Sequence, residues 1–356
     1  MQTYVVYILL LFLVVLFSNQ AEKTQKKSYL WLIVLALMFI AGCRAFTVGK
    51  DTESYIRIFQ YLENDMWDWA HGEIGFKWFS RAFLEVFNNY TLLLLFYAFA
   101  TNFLIIWRLW DFRKVSSFPW MVACYYISFY FMTMNIMRHC FAIAIVFYAT
   151  KYLESKKYLK FLCLIGIATL FHTSSLIGIG FIVLDVFQWH NLNRKQKALI
   201  SAMFLASPVI IYCILKAIAG YEHYFNTANE ASIGFMIIAK LALYILGLLL
   251  FYKIRPNKEG YDDSIERNIY SIRCANLYYL LGLLLTSLGY FFLYMDRIGL
   301  PFYLFECVYF GMLVKITNGK QIFRIALSVL LLYLFITNLI SNGQGVLPYV
   351  FVWQSL

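Results

Sequence analysis

Charge is scarce in this chain: of 356 residues only 14% are Asp, Glu, Lys or Arg, against 62% hydrophobic and 20% aromatic. No single water-soluble core hides that much apolar surface, so the bilayer has to act as solvent for most of it. The hydrophilic gaps are too short for a separate soluble domain, and with five prolines, no low-complexity tract and no internal repeat, one domain covers 1–356. Carboxylates number 19 against 30 Lys and Arg, a net charge of +11. In a soluble domain that excess would suggest nucleic acid; here it sits in short loops between apolar blocks, where it orients a membrane protein, and no basic domain is left to bind a nucleic acid. Seven cysteines, an odd number without a C-x-x-C pair, argue against a disulfide framework and leave them as small packing residues. The five histidines (His71, His139, His172, His190, His223) never fall at ligand spacing, so no metal site is expected. A P-loop, a dinucleotide glycine fingerprint, a G-x-S-x-G elbow and an H-E-x-x-H zinc helix are all missing, and no cofactor is expected.

What is present is a series of apolar runs long enough to be all-α transmembrane spans. Runs of roughly 17 to 25 residues, the length that crosses a bilayer, predict spans near 2–18, 28–45, 90–110, 118–134, 136–153, 159–171, 173–188, 198–219, 233–252, 273–294, 298–314 and 322–340. The first lacks a basic leader and an A-x-A site, so it reads as an uncleaved span. Basic residues collect after every second run: Lys23, Lys26 and Lys27; Arg108, Arg113 and Lys114; Lys151, Lys156, Lys157 and Lys160; Arg194, Lys195 and Lys197; Lys253, Arg255, Lys258, Arg267 and Arg273; Lys315, Lys320 and Arg324. Short-loop Lys/Arg bias makes that side cytoplasmic and puts both termini outside. The longest external segment, 46–89, contains the amphipathic stretch WFSRAFLEVF, which predicts a helix lying at the interface or re-entering it.

The external turns carry the chemistry. One holds Thr133-Met134-Asn135 with Arg138 just inside the next helix, one holds Phe171-His172-Thr173-Ser174, and one holds Met295-Asp296-Arg297. At 1.5 Å per residue, Leu159 to Phe171 reaches only about 20 Å of a roughly 30 Å hydrocarbon layer, so His172 is expected below the outer headgroups in a protein-lined cavity. Ionisable groups at that depth need a partner or water, which makes Arg138, His172 and Arg297 functional candidates. Structural readings stand beside this one. Arg138 can snorkel or cap carbonyls, His172 can be a satisfied residue at a helix junction, and Arg44 can be an interfacial anchor. Asp51 is placed to cap a helix, with Tyr55 on the same face one turn later. Glu73, in His71-Gly72-Glu73-Ile74-Gly75-Phe76, reads either as a helix cap or as a general base whose pKa is raised by apolar surroundings. Lys240 and Glu306 fall well inside two spans, as a structural ion pair or a proton path.

In their order, Arg44 with Val48-Gly49-Lys50-Asp51-Thr52-Glu53-Ser54-Tyr55 and Phe59, Glu73-Ile74-Gly75-Phe76, Asn135-Ile136-Met137-Arg138 with Ala142, Phe171-His172-Thr173-Ser174-Ser175-Leu176, and the late Arg297 resemble the EpsG-like branch of the Wzy-type bacterial polysaccharide polymerases. The resemblance runs from about Arg44 to Arg297; the final spans and the loop from Tyr221 to Ser232 have no counterpart. It implies a fold similar to the C-type glycosyltransferases and a membrane glycosyltransferase of capsule, exopolysaccharide or O-antigen type, located in the bacterial cytoplasmic membrane. That enzyme would join undecaprenyl-diphosphate-linked oligosaccharide repeats on the outer face, without a metal, and its partners would be that lipid, the bilayer, and the chain-length regulator and flippase of the same pathway. Under it Arg138, Arg297 and Arg44 grip the diphosphate, because guanidinium keeps its charge and offers forked donors. His172, Glu73 or Asp51 takes the proton of the acceptor hydroxyl, and Tyr55, Trp67 and Trp69 offer flat faces to sugars, although such residues also populate membrane interfaces. A flippase for the same lipid and a ligase using the same donor remain alternatives, but the polar groups are one-sided and no repeat is visible, unlike most transporters.

Overall fold

The computed structural model describes residues 2–186, 238–245, 247, 263–287, 296–317 and 321–354. All regular structure among them is helical. The helices are α1 (Gln2–Thr24), α2 (Ser28–Gly42), α3 (Thr52–Glu63), α4 (Ile74–Phe87), α5 (Tyr90–Asp111), α6 (Phe118–Tyr125), α7 (Phe131–Asn135), α8 (Met137–Glu154), α9 (Tyr158–Phe171), α10 (Ile179–Val186), α11 (Asp263–Ser287), α12 (Asp296–Tyr303), α13 (Phe305–Ile316) and α14 (Gln321–Ser341).

Three helical stretches are long and apolar enough to cross a bilayer, Tyr4–Thr24, Tyr90–Lys114 and Gln321–Ser341, and a fourth candidate is the pair α12 and α13, bent by 41°. The dozen spans expected from sequence are therefore not all present as full-length crossings among the described residues. α2 and α9 are helices of 15 and 14 residues. α8 is long enough but carries Arg138, Lys151 and Glu154. The run 118–134 is divided by a π-helical turn over Tyr126–Tyr130. Its loosened backbone is satisfied from outside the helix, where Asn338 Nδ2 donates to the Ile127 carbonyl at 2.9 Å. The expected span 198–219 lies outside the described residues, and 233–252 is described only in part.

α1 and α14 each bury one stripe and turn the rest outward. Ile8, Leu9 and Phe12 on α1, and Ile325, Val329 and Leu332 on α14, are exposed. A continuous apolar face of this kind has lipid as its natural cover.

Inside, α2 packs on α1 and α5, α5 on α8, α8 on α9, α6 on α1 and α13, and α11 on α12 and α13. The two ends of this assembly differ. At one end Glu22 Oε1 accepts from the Phe118 N–H at 2.9 Å, Arg113 Nε donates to Gln25 Oε1 at 3.1 Å, and Lys315 Nζ donates to the Arg113 carbonyl at 2.6 Å. Buried Arg108 donates to Thr150 Oγ1 at 3.1 Å and pairs with Glu154, tying α5 to α8. At the other end of α1, Tyr7 donates its hydroxyl to the Val346 carbonyl at 2.9 Å. There the tail after α14 runs beside residues 43–50, pairing Ala45 N–H with Val350 O at 2.8 Å, Val352 N–H with Cys43 O at 2.9 Å and Gly49 N–H with Gly345 O at 2.7 Å.

The Lys240–Glu306 pair is present and deeply buried, with Nζ at 3.0 and 2.8 Å from the two carboxylate oxygens. Ser128, from the π-helical turn, adds a donor to Oε1 at 3.2 Å, and Tyr303 contacts the ammonium. The carboxylate is thus fully hydrogen-bonded, as a buried charge requires.

Candidate functional site

Several interrupted segments meet where residues 46–89 rejoin the bundle. The α7–α8 break falls at Ile136, whose ψ of 56° ends one helix and starts the next, so Arg138 and His139 occupy the first turn of α8. α9 stops at His172, which turns extended (φ −158°, ψ 114°) before a 3-10 turn over Thr173–Gly178. α4 begins after Glu73, also extended. Gly75 lets α4 lie against the end of α9, because a Cβ there would come within 2.6 Å of Leu170 Cβ.

These ends deliver three expected site residues to one another. Glu73 Oε2 pairs with Arg138 Nη1 at 2.5 Å. Oε1 lies 3.0 Å from His172 Nδ1 and accepts the Thr173 N–H at 3.2 Å. The His172 contact is close, but Nδ1 makes no hydrogen bond there. Gly72, at φ +140°, leaves room for the guanidinium: a Cβ there would sit 2.6 Å from Arg138 Nη1. Tyr55 and Phe76 face the same guanidinium at 5.9 and 5.2 Å from their ring centres.

Both sequence readings of Glu73 need correcting. Its side chain makes no capping bond to α4. Its pKa is not raised: burial pushes it up, but the His172 contact and the Arg138 charge outweigh this and hold it at about 2. The carboxylate is therefore ionised beside its two neighbours.

Asp51 precedes α3 as expected, yet its side chain makes no cap. Instead its N–H donates to Asn135 Oδ1 at 2.9 Å, while Asn135 Nδ2 donates to Gln344 Oε1 at 2.8 Å. Arg44 is 1% exposed, donating to Val48 O at 3.2 Å, Met134 O at 3.0 Å and Thr52 Oγ1 at 3.3 Å, with a further contact to Ala41 O. It clamps the Gly49–Thr52 turn to α7, and those contacts occupy it. Arg297 lies in the first turn of α12, which packs on α8 and the 3-10 turn, close enough for its charge to act on His139 and Cys140.

Of the aromatic candidates, Tyr55 is 6% exposed and forms a wall of the Arg138 site, not an open sugar platform. Trp67 packs on Trp78 at 4.8 Å, and Trp69 is 63% exposed. The structure adds one residue that spacing arguments missed. His139 packs against His172 with ring centres 4.2 Å apart and planes tilted by 39°, and its Nε2 is 3.3 Å from Ser174 Oγ. Its adjacency to Arg138 was the available signal; a search for metal-ligand spacing does not see it.

The interrupted helix ends, the buried arginines and the paired imidazoles occur within the stretch matched by one family model, that of the EpsG family, over residues 27–351. The chain belongs to the EpsG family. No curated protein and no solved structure matches it. Membership in the EpsG family points to a role of the polysaccharide-polymerase type, and the outward apolar faces agree with a membrane protein.

Proposed function

We propose that the protein polymerises undecaprenyl-diphosphate-linked oligosaccharide repeats on the outer face of the bacterial cytoplasmic membrane, as a glycosyltransferase with a C-type-like fold. Arg138 and Arg297 carry the diphosphate charge, without a metal. An acceptor hydroxyl oxygen attacks the anomeric carbon of the donor, the bond from that carbon to the phosphate oxygen breaks, and its electron pair leaves with the lipid diphosphate. The hydroxyl proton passes to His172. Closure of the 3.0 Å Glu73–His172 contact into a hydrogen bond holds the His172 proton on Nδ1, which leaves Nε2 as the base. The arginines offset charge that grows on the leaving group.

The contact of Glu73 with both Arg138 and His172 carries this reading, because it joins a permanent cation and an imidazole at one point. Arg44 and Asp51 drop out as direct participants and support the loop instead. Trp69 is the aromatic left open to a sugar. Cells carrying Arg138→Ala, His172→Ala or Arg297→Ala test the reading through the chain length of surface glycan. Single repeats that still reach the outside are expected; repeats held facing the cytoplasm would replace the polymerase with a flippase, and normal chains would dismiss the site.

A further inference from the structure

His139 is an imidazole of the cluster that the chemistry above does not use. It is 3% exposed, one residue beyond Arg138 in the first turn of α8. Its Nε2 is held at 3.3 Å by Ser174 Oγ, and its ring lies against His172. Its Nδ1 is buried with no hydrogen-bond partner, and in the same cluster the same holds for Arg138 Nε, His172 Nδ1 and Ser175 Oγ. Buried polar atoms are nearly always paired in folded proteins, so several unpaired ones on adjoining residues mark where a bound group completes the set. The Ser174 hydroxyl can donate to Nε2, and in that tautomer the neutral ring carries its proton on Nδ1. The charged groups that act on this ring are Arg138 on its own helix, Glu73 before α4, His172 at the end of α9 and Arg297 on α12.

We infer that His139 contacts the substrate: its Nδ1–H donates a hydrogen bond to the phosphate oxygen that leaves the anomeric carbon. The inference rests on the glycosyl-transfer reading above. As the bond from carbon to oxygen breaks, the electron pair goes to that oxygen. The Nδ1–H bond strengthens with the growing charge, and no proton changes hands. Arg138 and Arg297 supply charge at the same place, and His139 supplies a fixed, neutral donor from a rigid helix. It fills the third position that Arg44, enclosed by its own carbonyl partners, does not reach.

The test compares His139→Asn, which sets an amide N–H near the former Nδ1, with His139→Gln, which sets it near the former Nε2, and with His139→Ala. The full chain is purified and its turnover of a lipid-diphosphate-linked repeat is measured alongside its melting temperature. His139→Gln and His139→Ala are expected to lower kcat by about 10²-fold with little change in KM, the usual cost of losing one such donor, and His139→Asn to recover most of it. Equal losses in all the variants, or an unchanged kcat in His139→Gln, would overturn the inference. If His139→Ala does not fold, the Asn and Gln pair decides alone. Arg138→Ala and Arg297→Ala separate the two levels: if they leave turnover intact, the diphosphate reading fails and takes this inference with it. If they abolish turnover while His139→Gln does not, only the inference fails.

Discussion

Glu73 Oε1 stands 3.0 Å from His172 Nδ1 across 99 residues of sequence, while its other oxygen holds Arg138. One carboxylate therefore touches both the cation and the imidazole. Replacing Glu73 by Gln keeps the shape and removes the charge. Turnover is expected to fall by about 10²- to 10⁴-fold, the range for a general base that has lost its correct protonation or orientation. An in vitro glycan-extension assay checks this, and a fall of less than tenfold would show that His172 does not depend on Glu73.

The same residue predicts an acid limit. The Glu73 pKa is lowered from its ordinary 4.5 to about 2. Its ionised form therefore favours the folded state, with a contribution complete above about pH 4.5 and lost as pH falls toward 2. Melting temperature followed from pH 6 downward should drop in that window for the native chain, and drop less for Glu73→Gln. Parallel curves would sever the link.

Gly72→Ala separates function from stability. The left-handed φ of +140° strains any Cβ, by roughly 1–3 kcal/mol, and that Cβ would lie 2.6 Å from Arg138 Nη1. The guanidinium is the mobile end of a long side chain, so it yields. Activity is expected to be nearly abolished while the chain still folds, which size-exclusion chromatography and a thermal melt would show alongside the extension assay. Full activity would mean that Arg138 can move from Glu73 without consequence.

Lys240→Met leaves the Glu306 carboxylate buried without its counter-ion and is expected to cost about 3–5 kcal/mol, whereas Lys240→Met with Glu306→Leu costs far less. Thermal melts of the single and double variants measure the coupling. A double variant that folds and extends glycan supports the structural role; one that folds but is inactive favours the proton path.

How much of this was legible beforehand depended on whether a feature is local. The span expected at 90–110 appears as Tyr90–Asp111, because a long apolar run follows a residue whose side chain caps it: Asn89 Oδ1 accepts from the Leu92 N–H at 3.0 Å. The π-helical turn at Tyr126–Tyr130 was hidden, since its composition matches the helix on either side. Arg44 stood out as a cation at the outer end of a span, an anchor or a diphosphate ligand; its burial was not legible, because the carbonyls of Val48 and Met134 that enclose it are brought there by the tertiary fold. Glu73 was legible as unusual from its flanking glycines. The sign of its pKa was not, because that depends on Arg138 and His172 arriving from distant segments.

The most direct measurement is extension of a purified undecaprenyl-diphosphate-linked repeat by the chain reconstituted in liposomes, comparing the native protein with Arg138→Ala and His172→Ala. The account predicts chains of joined repeats with release of undecaprenyl diphosphate from the native protein, and unextended repeats from both variants. Extension by either variant at the native rate, or movement of intact repeats across the bilayer without any joining, would contradict it.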